Sequence, residues 1–344
     1  MRLNGAIAAL CAATSIVFSL GAMAQEVDAD LIAKAKAEGK VVYYTDLIVN
    51  QIVVPVATAF EKKYGVKVEY SRADSQATIL RLANEYKAGK MQADVFSLTS
   101  GLQALVDMGA VRPIDAKYTA HLPKDFHDPK GMWAASNYYV MTPAVNTDLV
   151  PVAERPKSYQ DLLDPKWKGR MAWKTNDMSG GPGFIGNILS FMGETDGMAY
   201  LRKLSGQDIR TVNASARALL DQSIAGEYPL VLQIFNHHSE ISARQGAPTA
   251  WVKMEPVAVT NEQLSIAAKS PNPKAALLLV SFMLSKEGQE LFQKAGYFPT
   301  HPDVPAPFPA LAPSSGGFKA NFLSPEYIFA NYEKWADIYQ QLFR

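Results

Sequence analysis

Cysteine is almost missing from this 344-residue chain, and so is any excess of charge. The single Cys11 lies in the first two dozen residues, so a disulfide framework and a cysteine metal site are both excluded from the rest of the chain. Lys and Arg total 34 against 33 Asp and Glu, which leaves no basic footprint for a nucleic-acid partner. Long apolar runs are scarce: past the N-terminus no stretch approaches the ~20 residues that a membrane-spanning helix needs. There is no Gly-x-Ser-x-Gly elbow, no Gly-x-x-x-x-Gly-Lys-Ser/Thr phosphate loop and no His-Glu-x-x-His motif. A secreted esterase or lyase is therefore the weakest reading, and the chain is not expected to be an enzyme.

What is present begins with a targeting segment. Arg2 supplies one positive charge, Ala6 to Leu20 is apolar or small, and Gly21-Ala22-Met23-Ala24 has the small-x-small pattern that signal peptidases cut. Residues 1–24 are expected to be a signal peptide cleaved after Ala24. Its removal takes away Cys11 and Arg2 and leaves about 320 residues, a length that usually means two domains. An exported chain of that size can bury enough core to stand without disulfides.

The remaining sequence alternates helix and strand patterns. Asp28 followed by Leu31 to Glu38 and Gly39 reads as a capped helix, and Val41-Val42-Tyr43-Tyr44 reads as a buried strand. A helix is expected from Val53 to Tyr64, a strand over Val66 to Tyr70, a helix from Ser75 to Ala88, a strand at Asp94-Val95-Phe96 and a helix from Gly101 to Met108. The theme returns with a strand at Arg170 to Trp173, a helix from Pro182 to Met192, a strand at Leu230 to Phe235, and helices over Asn272–Leu284 and Ser285–Ala295. Such alternation predicts an α/β architecture with a mainly parallel sheet. Pro305 to Gly317, rich in Pro, Ala, Ser and Gly, reads as a surface excursion.

Three segments carry a family resemblance. Near the C-terminus stand Asn272-Pro273-Lys274-Ala275-Ala276, then Phe282-Met283-Leu284-Ser285-Lys286-Glu287-Gly288-Gln289, then Gly296-Tyr297-Phe298-Pro299. Near the N-terminus stand Gly39 to Tyr44 and Phe60 to Val68, and in the middle Asp161-Leu162-Leu163-Asp164-Pro165-Lys166-Trp167-Lys168-Gly169-Arg170. Together with Ala93-Asp94-Val95-Phe96 they resemble the ferric-iron, thiamine and phosphonate group of periplasmic solute-binding proteins. The resemblance implies a type II periplasmic-binding fold, two lobes closing on a ligand, and an inner-membrane ABC permease as partner. It implies a monomer in the periplasm. By analogy residues 25–143 and 256–304 form lobe 1, and 144–255 and 305–344 form lobe 2. Val140 to Val145 and Met254 to Val257 are the expected crossings.

Ligands of open α/β sheets sit beyond the carboxyl ends of strands, where helix N-termini point. Ser75, Thr99-Ser100 and Ser179-Gly180-Gly181 lie at such places, as anion sites or as simple caps. Two glycines would let a ligand approach the backbone closely. Asn213 and Asn137 are further candidates, the first by resemblance to a family position that contacts the anion. Asn236-His237-His238 leaves a strand where ferric relatives carry two iron-binding tyrosines. Adjacent residues on a continuing strand would face opposite ways, so both histidines need not reach one ligand. Leu98-Thr99-Ser100 stands where the iron binders place an acidic ligand, and Thr45-Asp46-Leu47 where they often place a histidine. The expected ligand is thus a small anion (a phosphonate, phosphate ester or organic acid) with no required cofactor. The alternative is iron or zinc held by His237 and His238 with a synergistic anion.

Overall fold

The computed structural model describes residues 27–175 and 178–344. The expected signal peptide, with Cys11, lies outside the described residues. The first lobe opens with α1 (Ala29–Glu38), β1 (Lys40–Thr45), α2 (Val54–Tyr64), β2 (Lys67–Arg72), α3 (Ser75–Lys87), β3 (Val95–Leu98), α4 (Leu102–Asp107) and β4 (Val111–Arg112). The long strand β5 (Ala134–Asn146) then leads to β6 (Met171–Lys174), α5 (Gly181–Met192), α6 (Glu194–Ser205), β7 (Arg210–Val212), α7 (Ala216–Ile224), β8 (Leu230–Phe235), α8 (Asn236–Arg244) and β9 (Thr249–Trp251). A second long strand, β10 (Val257–Ala267), returns to α9 (Pro273–Leu284), α10 (Lys286–Lys294), α11 (Pro313–Gly316), β11 (Ala320–Phe322) and α12 (Pro325–Phe343).

The caps follow local chemistry. Asp28 accepts from the Asp30 N–H to start α1, and Gly39 at φ 78° ends it in the left-handed region that glycine enters without strain. Asp74, Ser215, Ser285 and Ser324 cap α3, α7, α10 and α12 in the same way, each accepting a backbone N–H in the first turn.

Strand order is β2-β1-β3-β10-β5-β8-β6-β7, with β1 parallel to β2 and β3, and β6 parallel to β7 and β8. β10 runs antiparallel to β3 and β5, so β5 and β10 sit together at the centre of an α/β, two-lobed molecule. Every residue of both strands is buried. Along β5 the packing changes partners: Val140 belongs to the core built by Phe60, Tyr64, Phe282 and Phe292, whereas Met141 belongs to the core built by Trp173, Phe184, Trp335 and Tyr339.

Packing refines two expectations. The Pro305 to Gly317 segment is not a plain surface excursion: Leu311 and Ala312 are buried in the first core, and Leu311 accepts a hydrogen bond from Asn236 Nδ2 at 2.9 Å. Apolar residues spaced among the prolines give this stretch an inner side. The glycines of α5 also have a structural reason. A Cβ on Gly181 would come within 2.5 Å of the Tyr339 ring, and one on Gly186 within 2.6 Å of Trp335. Close packing of α12 on α5 requires both to be small.

Candidate functional site

A cleft of about 730 Å³ lies where the ends of β1, β3, β6 and β8 meet the central strands. On the first-lobe wall the chain leaves β1 at Asp46, enters α3 at Ser75 and leaves β3 at Thr99 and Ser100. These side chains are bonded to one another. Ser75 Oγ–H donates to Asp46 Oδ2 at 2.7 Å, Thr99 Oγ1–H donates to the same oxygen at 3.2 Å, and the Thr99 N–H donates to Ser75 Oγ at 3.1 Å. Arg72 also lines this wall, its Nε donating to the carbonyls of Asp46 and Leu47.

Beneath Asp46 lies a second acid. Glu262 of β10 is fully buried, and Tyr139 Oη–H donates to its Oε2 at 3.3 Å. Its Oε1 has no hydrogen-bond partner of normal geometry among the described residues. Burial first, and then the neighbouring Asp46 charge, push the Glu262 carboxyl well above its ordinary range. Of the two acids, Glu262 is the one whose burial favours the protonated form. Burial and the nearness of Glu262 likewise push the phenols of Tyr139 and Tyr297 up, which keeps both rings neutral.

The second-lobe wall is built from Lys174 at the end of β6, Met178 and Ser179 before α5, Ala214 to Arg217 at the start of α7, His238 on α8, and Phe235 and Tyr332. Lys174 Nζ donates to Ser179 Oγ at 3.3 Å, and Arg217 Nη1 donates to Ser242 Oγ at 2.9 Å while pairing with Asp221. Tyr139, Met141, Thr260 and Tyr297 form the floor.

Of the residues singled out from sequence, Ser75, Thr99, Ser100, Ser179 and His238 line this one cleft. Gly180 and Gly181 follow Ser179 into α5 and are not among the lining residues, and Asn213 is exposed beside the lining Ala214. Asn137 is buried in β5, accepting from Ser136 Oγ–H, and Asn236 is buried with its amide on Leu311. The strand ends at Phe235, and α8 begins at Asn236, so His237 and His238 occupy a first helical turn and not an extending strand. Their rings lie 4.4 Å apart, yet only His238 reaches the cleft. His237 is enclosed by Tyr139, Phe235, Tyr297 and Phe298, with neither ring nitrogen hydrogen-bonded to a described residue. Burial lowers both histidines, His237 well below the usual value and His238 to about 4, where Arg217's charge adds to the effect. Among the described residues no group of three or more His, Cys, Asp or Glu is placed to hold a metal ion.

Asp46, Arg72, Lys174, Ser215, Arg217 and Glu262 are not among the candidates that the sequence offers. For Ser215 a signal exists, since a serine directly before the Ala216 to Leu220 run is an N-cap pattern.

Known proteins share this fold. The model of the bacterial extracellular solute-binding protein family matches residues 56–319. An uncharacterized protein of Haemophilus influenzae is 29% identical over 276 residues, covering 76% of this chain and 78% of its own. A putative 2-aminoethylphosphonate-binding periplasmic protein of Salmonella typhimurium is 24% identical over 292 residues, covering 81% of each chain. Among solved structures, iron-bound HitA from Pseudomonas aeruginosa superposes with a TM-score of 0.74 at 18% identity, covering 88% of this chain and 99% of that one. AfuA from Actinobacillus pleuropneumoniae, with exogenous fructose-6-phosphate bound, gives 0.72 at 24% identity, covering 88% and 99%. At these identities the structural likeness shows the fold alone.

Proposed function

Because this chain belongs to the bacterial extracellular solute-binding proteins, we propose that its cleft captures a small anionic ligand by lobe closure and delivers it to an ABC importer's permease. The protein acts in the periplasm as a monomer, with residues 25–143 and 256–304 as one lobe and 144–255 and 305–344 as the other. The ligand is a phosphonate, a phosphate ester or an organic acid.

One observation carries this reading. The N-terminal turns of α3, α7 and α8, together with Ser179 on the approach to α5, converge from both lobes on a single cleft. Helix N-termini offer unpaired N–H groups and a partial positive charge, and one such end is common but a convergent set is not. Arg72, Lys174 and Arg217 add three cationic side chains to the same walls. Relatives include a putative aminoethylphosphonate binder and a fold neighbour crystallised with a sugar phosphate. The metal alternative has less behind it, because His237 is walled off by aromatic rings and His238 stands without a second imidazole in the cleft.

A thermal-shift series on the metal-stripped protein tests the reading. Phosphonates, phosphate esters and carboxylates are compared with Fe(III), with and without carbonate or citrate, and with Zn(II). A ligand at ~100 times its dissociation constant adds about 2.7 kcal/mol, a rise of several degrees in melting temperature. Stabilisation by an organic anion without metal is the expected result. A rise with iron or zinc alone would transfer the site to metal capture.

A further inference from the structure

We propose that the ligand is a zwitterion, whose ammonium group is held by Asp46 on the first-lobe wall while its anionic group is held on the second. This rests on the anion-capture reading above and deepens it. The starting observation is a charge that a purely anionic ligand would not tolerate. Asp46 lines the cleft, and among the described residues no Lys, Arg or His forms an ion pair with it. The nearby Arg72 spends its Nε on the backbone carbonyls of residues 46 and 47.

The groups that do touch the Asp46 carboxylate are neutral hydroxyl donors. Ser75 and Thr99 both donate to its Oδ2. Such bonds fix the orientation of the carboxylate and bring no positive charge to it, which leaves a cation to be supplied from the cleft side. The second, independent observation is Glu262. It is fully buried next to Asp46 on a central strand of the molecule, and its Oε1 makes no hydrogen bond of normal geometry to a described residue. In its protonated form this acid is one more donor behind Asp46 and contributes no charge of its own.

The surroundings fit an ammonium group. Tyr139, Tyr297 and Phe235 line the same cleft as Asp46, and aromatic rings can attract cations where water is excluded. The distribution of charge fits as well. Both carboxylates among the described lining residues, Asp46 and Asp74, belong to the first-lobe wall, and Asp74 Oδ1 is already bonded to the Ala77 N–H. The second-lobe wall carries Lys174, Ser179, Ser215 and Arg217 with no carboxylate among the described lining residues. Lining carboxylates on one wall favour a ligand that presents its cation there.

The test uses pairs of probes differing only in the amine: 2-aminoethylphosphonate against propylphosphonate, and phosphoethanolamine against propyl phosphate. Calorimetric titration of the wild-type protein should find the amine-bearing member of at least one pair bound ten or more times tighter. In Asp46→Asn that preference should collapse to near parity, with the amine-free member changed less than about threefold, since Asn keeps an oxygen for Ser75 and Thr99. Parity in the wild type would overturn the proposal, as would an equal loss for both members in the variant, which would mark Asp46 as structural. If neither pair binds but fructose 6-phosphate or inorganic phosphate does, the zwitterion is wrong and the anion reading stands. If no anion binds at all, both fall together.

Discussion

On the first-lobe wall, Ser75 and Thr99 turn inward on Asp46, and the hydroxyls at the helix starts are occupied by an acid of the protein itself. On the second-lobe wall, Ser179 takes a hydrogen bond from Lys174, and Ser215 caps α7 from a wall whose described lining residues include no acid. Both walls come from one local device, a strand end leading through Ser or Thr into a helix. Chain pattern therefore sets where the donors stand, while the charge placed among them decides what each wall can accept. Asp46 converts one generic anion cradle into a surface suited to a cation, and the other keeps the positive sign of its helix ends.

Each wall rests on its own core, and the largest expected effects come from breaking one core at a time. Trp173 is fully buried against Phe184, Tyr339 and Phe343 in the second core, and Phe282 against Phe60 and Tyr64 in the first. Trp173→Ala and Phe282→Ala should each cost ~3–5 kcal/mol in urea unfolding. Because β5 and β10 run unbroken from one core to the other, each variant should still unfold in a single transition. A split transition confined to Trp173→Ala would show that the second wall stands on an independently folding unit.

Next in size is the pH response, which should have opposite signs on the two sides of the cleft. His238 is held down to about 4 by burial and by Arg217, whereas an unfolded histidine titrates near 6.5. The unfolded chain takes up the proton first, so stability falls as pH drops from about 6.5 to about 4. Glu262 is held well above the ordinary 4.5 by burial and by Asp46. Its contribution is complete below that ordinary value and is lost as pH rises toward the folded one. His238→Gln should therefore flatten the acid-side loss by about 3 kcal/mol. Glu262→Gln should raise the midpoint of urea unfolding near neutrality and leave it nearly unchanged at about pH 4. An unaltered midpoint near neutrality would mean that the buried acid is not protonated, and the contrast between the walls would lose its first half.

What could be read in the chain follows the range of the forces involved. α2, α3, α5, β8 and α10 are close to their expected bounds because caps and apolar spacing act within one or two turns. Ser75, Thr99, Ser100, Ser179 and His238 could be placed because strand ends are local features too. β5 and β10 were legible only at their crossings. Their apolar residues are interrupted by Ser136, Asn137, Thr142, Thr260, Asn261, Glu262 and Gln263, which suit no amphipathic strand and are buried only because two lobes enclose them. The Asp46–Glu262 pair joins residues far apart in sequence through β1, β3 and β10, so no local pattern announces it. Gly181 was legible as a special position, though its closest neighbour is the Tyr339 ring of the last helix.

The smallest effect is the sharpest probe of charge alone. Asp74 lines the first-lobe wall and caps α3, with Oδ1 accepting the Ala77 N–H at 2.8 Å. Serine caps a helix about as well, so Asp74→Ser should leave stability within ~0.5 kcal/mol of the wild type. It removes one exposed negative charge from the wall, and exposed charges several ångströms from a ligand act through high-dielectric solvent. Affinity for the amine-free phosphonate should therefore rise only about twofold at low ionic strength, and the gain should vanish in ~1 M salt, where screening acts within about 3 Å. Asp46, embedded among bonded hydroxyls and backed by a buried acid, should respond to salt far less. Titrations of Asp74→Ser and Asp46→Asn at two ionic strengths measure that difference directly. Equal salt sensitivity would mean that Asp46 is as solvated as Asp74, and that the first wall repels anions by diffuse charge without forming a seat for a cation.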